Sequence, residues 1–299
     1  MFPDLKKIFF LLLTAMVIVF SGGLLPAQEK YSFFQIRTDL LARLPAAEAR
    51  QKILPPLFAG IRKNLKNGGV APDVPLIAFY GKNLITEKNA EKSFFVLYFH
   101  RLKTAQLRYL LKYGLLHPDW KYREQDGVFH IEASSLKFVL FQHKNADGFF
   151  AAPAYGIQAQ AGAELLLKKI NFNSANAVSG TFYFPANAVL HPAMQAVRTA
   201  KFAVTGGKNT KGETVLRALI ELTGSTPEQT KKIADDMSSF FAGIYANAEK
   251  EAAKTNRKLT AEDRNALYCF FKSEKAYLSV TFNEEWTTTF LTLFSENLH

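Results

Sequence analysis

The chain has 299 residues, of which 48% are apolar, with 37 Lys and Arg against 26 Asp and Glu and a single Cys. This composition excludes an intrinsically disordered chain, a collagen-like chain and a disulfide scaffold. One thiol is too few for an internal disulfide or a thiolate zinc cluster. The length suggests about two domains.

Residues 1–27 have the pattern of a secretory signal peptide. Two lysines precede an apolar run at 8–20, and small and helix-breaking residues follow, with cleavage sites after Gly23 or Ala27. An uncleaved membrane anchor is the alternative, but the apolar run is shorter than the ~20 residues that a spanning helix needs. We therefore expect export to the periplasm or the extracellular medium, and no transmembrane segment after cleavage.

The chain that would remain after cleavage is basic. It carries 35 Lys and Arg against 25 Asp and Glu, a net charge of +10. Such a charge favours anionic surfaces such as phospholipid headgroups, acidic glycans or nucleic acid. Dispersed lysines that only aid solubility are the alternative, and no specific nucleic-acid motif with interleaved aromatic and basic residues is present.

The first half alternates strands with helices. Asp126-Gly127 between two strand-like runs indicates a hairpin, and the continuous apolar run at 94–99 indicates a central strand covered on both sides. We predict strands at 33–37, 76–80, 94–99, 120–124, 128–132 and 137–142, and helices at 46–66 (kinked or split by two prolines) and 104–113.

A low-charge stretch rich in Ala and Gly, 147–163, shows neither a helical nor a strand period and reads as a linker. In the half that follows, Ser225 and Glu228 have capping-box spacing at the start of a long helix, and Pro227 lies in its first turn. We predict strands at 181–184, 201–205, 214–223, 267–271 and 277–282, and helices at 188–198, from 225 onward and from about 284.

The two halves have the same order of elements at a nearly constant offset. Phe33 and Phe182 are 149 positions apart, Trp120 and Leu267 are 147 apart, and Val128 and Ala276 are 148 apart. We infer an α+β protein of two similar repeats, 28–146 and 164–299. Each repeat is expected to be a mainly antiparallel sheet with helices packed on one face.

The common catalytic, metal and phosphate signatures are absent from the sequence, so no cofactor is expected. His130 and Glu132 lie two apart on a predicted strand and share one face, where they could act as an acid-base pair; a polar solvent face is the alternative. His100 is the third residue to test in any enzymatic role. Cys269 lies in an apolar run and is expected to be a buried small hydrophobe.

Aromatic content is unusual, with 27 Phe and 11 Tyr and five Phe pairs, including 149–150 and 270–271. Neighbouring residues of a strand point to opposite faces, so such pairs are either sandwiched between layers or exposed. Core packing explains these pairs, and a groove for an apolar ligand between the two halves is the alternative. From the signal segment, the duplication and the missing catalytic signatures we expect a non-enzymatic binding or interaction module of the bacterial envelope, whose partner is an envelope protein or an anionic surface. A carrier of a lipid or other apolar ligand between the repeats is the first alternative, and a hydrolase without a recognisable motif is the second.

Overall fold

A computed structural model describes residues 31–41, 74–81, 94–112, 121–133, 136–184, 194–208, 212, 214–254, 258 and 266–282. The signal segment, the helix predicted at 46–66, the first part of the helix predicted at 188–198 and the helix predicted from about 284 lie outside these residues. The chain divides into two compact units after Val178. Within the described ranges, no helix is long and apolar enough to cross a membrane.

The first unit is an antiparallel sheet of seven described strands in the order β1-β2-β3-β7-β6-β5-β4. Asp126 and Gly127 have φ values of 52° and 74° and form the two-residue turn between β4 and β5, as the sequence predicted. The elements are β1 (Ser32–Arg37), α1 (Thr38–Leu41), β2 (Leu76–Gly81), β3 (Phe95–His100), α2 (Thr104–Lys112), β4 (Lys121–Gln125), β5 (Val128–Ala133), β6 (Leu136–Phe141), β7 (Gly148–Ala152) and α3 (Ile157–Lys169).

Both faces of this sheet are covered by helices. Leu107, Leu110 and Leu111 of α2 pack on the face that carries Phe149. Ala163 and Leu166 of α3 pack on the opposite face, which carries Phe150. The prediction of helices on one face is therefore wrong for this unit, because its central strands are apolar on both sides and each side must be buried.

The segment predicted as a linker, 147–163, contains β7 and the first half of α3. Strand β7 is buried at all five residues. Helix α3 buries Ala159, Gly162, Ala163 and Leu166. The low charge and the small residues of this segment reflect burial between strands and close helix packing rather than a mobile connection, and the units divide further on, after Val178.

The second unit has the strand order β8-β9-β10-β12-β11, and the pairs from β9 onward are antiparallel. Together with the first unit, it confirms the predicted α+β class with mainly antiparallel pairing. The elements are β8 (Val178–Tyr183), β9 (Thr199–Lys208), β10 (Thr214–Thr223), α4 (Pro227–Lys254), β11 (Leu267–Lys272) and β12 (Lys275–Phe282).

The start of α4 differs by one residue from the predicted capping box. The backbone N–H of Gln229 donates to Thr226 Oγ1 at 3.2 Å, and Gln229 Oε1 accepts from the backbone N–H of Ser225 at 3.0 Å. The capping pair is therefore Thr226 and Gln229 rather than Ser225 and Glu228. Pro227 then occupies the first helical position, where its missing N–H costs nothing.

Helix α4 packs on β10, β11 and β12 and also contacts the outer edge of β11. The Tyr245 hydroxyl donates to Leu267 O at 2.8 Å and accepts from Leu267 N at 2.9 Å. The Ser238 hydroxyl donates to Cys269 O at 3.2 Å. These bonds occupy backbone groups that an exposed edge strand would otherwise offer to another strand.

Candidate functional site

His100, one of the three residues proposed from the sequence for chemistry, lies at the end of β3 in a polar cluster. Its Nδ1 is 3.0 Å from the Tyr98 hydroxyl and 3.2 Å from the carbonyl oxygen of Asp147. The Tyr98 hydroxyl also donates to that carbonyl at 2.9 Å. Lys103 forms an ion pair with the Asp147 carboxylate. The cluster joins the end of β3 to the loop that precedes β7.

Burial and hydrogen bonding together determine the protonation of this cluster at neutral pH. Desolvation lowers the pKa of His100 more than the hydrogen bond with Asp147 raises it, so the imidazole is mainly neutral at pH 7. Burial likewise raises the pKa of Tyr98, which keeps its proton. The hydrogen bond from Lys103 lowers the pKa of the Asp147 carboxyl. These groups act here as hydrogen-bond partners in a loop attachment.

His130 and Glu132 share one face of β5, as predicted, but His100 does not join them. His100 pairs with Gly148 of β7. His130 pairs with Val139 of β6, and Val139 in turn pairs with Ala152 of β7. Three strand spacings of about 4.8 Å separate β3 from β5, and the register adds four residues along the strand. Glu132 is 3.5 Å from Lys137 across the β5–β6 pair. The structure therefore places the three candidates in two separate locations.

The second unit presents a sheet surface that the sequence did not single out. Along β12, Ala276, Leu278 and Val280 are buried, whereas Tyr277 and Ser279 between them are only half-buried. Since α4 packs on this sheet and successive side chains alternate, the second set points to the side away from α4. We call this side the aromatic face; its members include Lys201, Arg217, Leu219, Glu221, Tyr268, Phe270, Lys272, Lys275, Tyr277 and Ser279.

Three rings form a stacked row on the aromatic face. The ring centroids of Tyr268 and Phe270 are 5.9 Å apart, and those of Phe270 and Tyr277 are 5.1 Å apart, with planes inclined by 22° and 17°. Tyr268 is nevertheless 46% exposed, Phe270 38% and the neighbouring Leu219 46%. Large apolar side chains exposed together in this way are typical of interaction surfaces.

Basic side chains share the aromatic face with the ring row. Glu221 lies between two lysines, 3.5 Å from the Nζ of Lys201 and 3.1 Å from that of Lys275. The hydrogen bond to Glu221 raises the pKa of Lys275. With Arg217 and Lys272 the aromatic face carries four basic side chains against the single carboxylate of Glu221. It therefore favours a partner that is both anionic and partly apolar.

Cys269 and Phe271 lie on the α4 side of β11. Burial raises the pKa of Cys269 to about 11, so it remains a thiol at neutral pH. The Cys269 side chain is half-buried, whereas the sequence predicted a fully buried small hydrophobe. Among the described residues, no group of three His, Cys, Asp and Glu side chains could hold a metal ion.

A signal for the aromatic face was present in the sequence but was hidden by the continuous apolar run of β11. Tyr268, Phe270 and Lys272 follow one another at every second position, which places them on one side of a strand. The apolar run of β11 by itself does not show which side of the strand a helix covers. The paired residues Phe149 and Phe150 are sandwiched between layers, whereas Phe270 and Phe271 are both exposed.

Comparisons with known proteins do not assign this site. No protein-family model, no curated protein and no solved structure matches the chain.

Proposed function

We propose that this chain is an exported protein of the bacterial envelope that acts as a non-enzymatic binding module, and that the aromatic face is its binding surface. The observation that carries this proposal is the row of exposed Tyr268, exposed Phe270 and half-buried Tyr277 beside lysines, on the side of the sheet away from α4. Burying such rings on a partner releases water from apolar surface, and the basic residues supply electrostatic selectivity.

The positions of the acid-base candidates favour binding over catalysis. A catalytic trio needs side chains within hydrogen-bond reach of one reacting centre. His100 instead bonds to Asp147 in the β6–β7 loop, and Glu132 is paired with Lys137. The first contact attaches a loop to β3 and the second joins β5 to β6, so each is explained by a structural role.

We also propose that the two units descend from one duplicated element. The strand order β1-β2-β3-β7-β6 in the first unit has the same connectivity as β8-β9-β10-β12-β11 in the second. In both, a helix follows the third strand, and the last strand returns beside that third strand. This equivalence relates β6 and β7 to β11 and β12. The constant sequence offset related β4 and β5 to them instead, so the shared strand order supports duplication whereas the offset does not.

Export rests on the signal pattern of residues 1–27, and the proposed site is periplasmic or extracellular. The carrier alternative requires an apolar ligand between the repeats. The carrier hypothesis remains a prediction from the sequence, because the residues on which the proposed binding surface rests all lie in the second unit and not between the repeats.

The test is hydroxyl-radical footprinting of the chain isolated gently from its producing cell, before and after its bound partners are stripped. We expect oxidation of Tyr268, Phe270 and Tyr277 to be suppressed in the isolated complex and restored after stripping. Exposed Ile157 and Tyr155 of the first unit serve as internal references, whose oxidation should not change. Equal oxidation of the three rings in both samples would reject the aromatic face as the binding surface.

A further inference from the structure

We infer that the partner of the aromatic face is the surface of a bilayer rich in anionic phospholipid. This inference rests on the binding role proposed above and names its partner by chemistry. It is carried by the geometry of the ring row, the arrangement of charges around it and the occupied edge of β11.

The ring row presents ring edges rather than ring faces to a partner. Side chains stand roughly perpendicular to a sheet, so ring edges point outward, and Phe270 stacks against both Tyr268 of its own strand and Tyr277 of the neighbouring strand. With centroid separations of 5.1 and 5.9 Å, no gap between the rings admits a nucleobase or a sugar ring. A platform for bases or sugars needs exposed ring faces. Ring edges suit the boundary between headgroups and acyl chains, where Tyr places its hydroxyl in the polar layer.

The charges complement an anionic membrane. Lys272 and Lys275 flank the β11–β12 turn, and Lys201 and Arg217 lie on the neighbouring strands. Two carboxylates, Glu221 on the face and Glu274 in the turn, leave an excess of basic groups. Long basic side chains can lay their methylene stems along apolar surface while their charges reach the phosphates.

Addition of a strand to β11 is the main competing way for this hairpin to bind a partner. The hydroxyls of Tyr245 and Ser238 already bond to the outward backbone groups of Leu267 and Cys269. An incoming strand, including β11 of a second copy, would have to displace them. Docking through the side chains of the aromatic face leaves these bonds intact.

The experiment is sedimentation of the chain, isolated from its producing cell so that all variants share the natural amino terminus, with two kinds of vesicle. One contains equal parts of phosphatidylglycerol and phosphatidylcholine, and the other contains phosphatidylcholine alone. The test variant is Tyr268→Ser with Phe270→Ser. The matched control is Ile157→Ser with Leu165→Ser, which removes two exposed apolar side chains from α3 of the first unit.

We expect the wild type and the control to bind the anionic vesicles alike, and both to bind the neutral vesicles more weakly. The double aromatic variant should bind the anionic vesicles at least tenfold more weakly. Lys272→Gln alone should weaken that binding about fivefold, as expected for one lysine near an anionic surface. Circular dichroism shows whether each variant is folded, and Lys272→Gln serves as the test if the double variant is not.

Equal binding to both vesicle types, or unchanged binding of the aromatic and Lys272 variants, would overturn the inference. It would also be overturned if a soluble single-stranded oligonucleotide bound the wild type as tightly as the anionic vesicles and lost affinity for the same variants. The footprinting test separates the two proposals. Protection of the rings in the isolated complex without vesicle binding would leave the binding role standing and remove only the bilayer.

Discussion

Replacement of Gly162 in α3 by alanine tests whether this helix packs as closely on β3 as the structure indicates. A Cβ atom at this position would lie 2.5 Å from Cζ of Phe94 and 2.7 Å from Cγ2 of Val96. Favourable contact between carbon atoms needs about 3.5 Å or more. Val96 is fully buried, so its side chain cannot simply move aside.

The expected magnitude follows from two opposing effects. Alanine is favoured over glycine inside a helix by about 1 kcal/mol, and overpacking of a filled core costs about 1–3 kcal/mol. The sum is a loss of up to about 2 kcal/mol in the free energy of unfolding. Gly243 of α4 is the matched control, because it is exposed and a Cβ there meets nothing within 4 Å. Gly243→Ala should therefore stabilise by about 0.5–1 kcal/mol.

Urea unfolding of both variants, followed by far-ultraviolet circular dichroism, measures the difference, which we expect to be about 0.5–3 kcal/mol. Hydrogen exchange read by mass spectrometry should place the faster exchange of Gly162→Ala in α3 and β3. If both glycines tolerate alanine equally, α3 does not approach β3 as described, and the argument for burial on both faces of this sheet fails.

Three further outcomes are expected. Tyr245→Phe leaves the backbone N–H and carbonyl of Leu267 without their partner and should lower the free energy of unfolding by about 1–3 kcal/mol; an unchanged urea midpoint would show that these bonds contribute nothing. Because burial lowers the pKa of His100 in the folded chain, the unfolded chain binds more protons. The contribution of His100 to the free energy of unfolding is therefore fully present above its unfolded pKa of about 6.5 and is lost as the pH falls below that value. His100→Gln should flatten the pH dependence of the free energy of unfolding, measured in urea between pH 7.5 and 5. Equal pH dependence in the wild type and the variant would contradict the assignment. Gly148→Ala, at a φ of 149° and with its Cβ against the carbonyl oxygen of Phe99, should destabilise by more than about 2 kcal/mol in the same assay, and a neutral effect would argue against this backbone path.

Elements with a strong local signal were predicted well from the sequence. The hairpin at Asp126-Gly127 follows from the need for two left-handed residues in a two-residue turn, a conformation that Asp and Gly accept readily. The apolar run at 94–99 was correctly assigned to a central strand covered on both sides. In these cases the pattern that defines the element lies within a few neighbouring residues.

The last two elements of the first unit, β7 and α3, were not predicted, because their signal depends on distant partners. Helix α3 buries mainly small residues such as Ala159, Gly162 and Ala163, which form no apolar stripe of large side chains. They are small because the helix lies close to β3, and that contact is invisible in the local sequence. Strand β7 was missed for a related reason. Its sequence is only a short stretch of low charge, and its pairing with β3 and β6 is what makes it a buried strand.

The sequence by itself determined the α+β class, the antiparallel hairpins, most strand positions of the described residues and an excess of positive charge. These depend on side-chain periodicity, turn residues and composition, all of which are local or additive. Only the tertiary structure decided that α2 and α3 cover opposite faces, that His100 lies apart from His130 and Glu132, and that the rings of β11 and β12 meet on the side away from α4. The reason is physical: strand order, register and the side that a helix covers depend on contacts between residues far apart in the chain, such as Leu97 of β3 and Ala151 of β7.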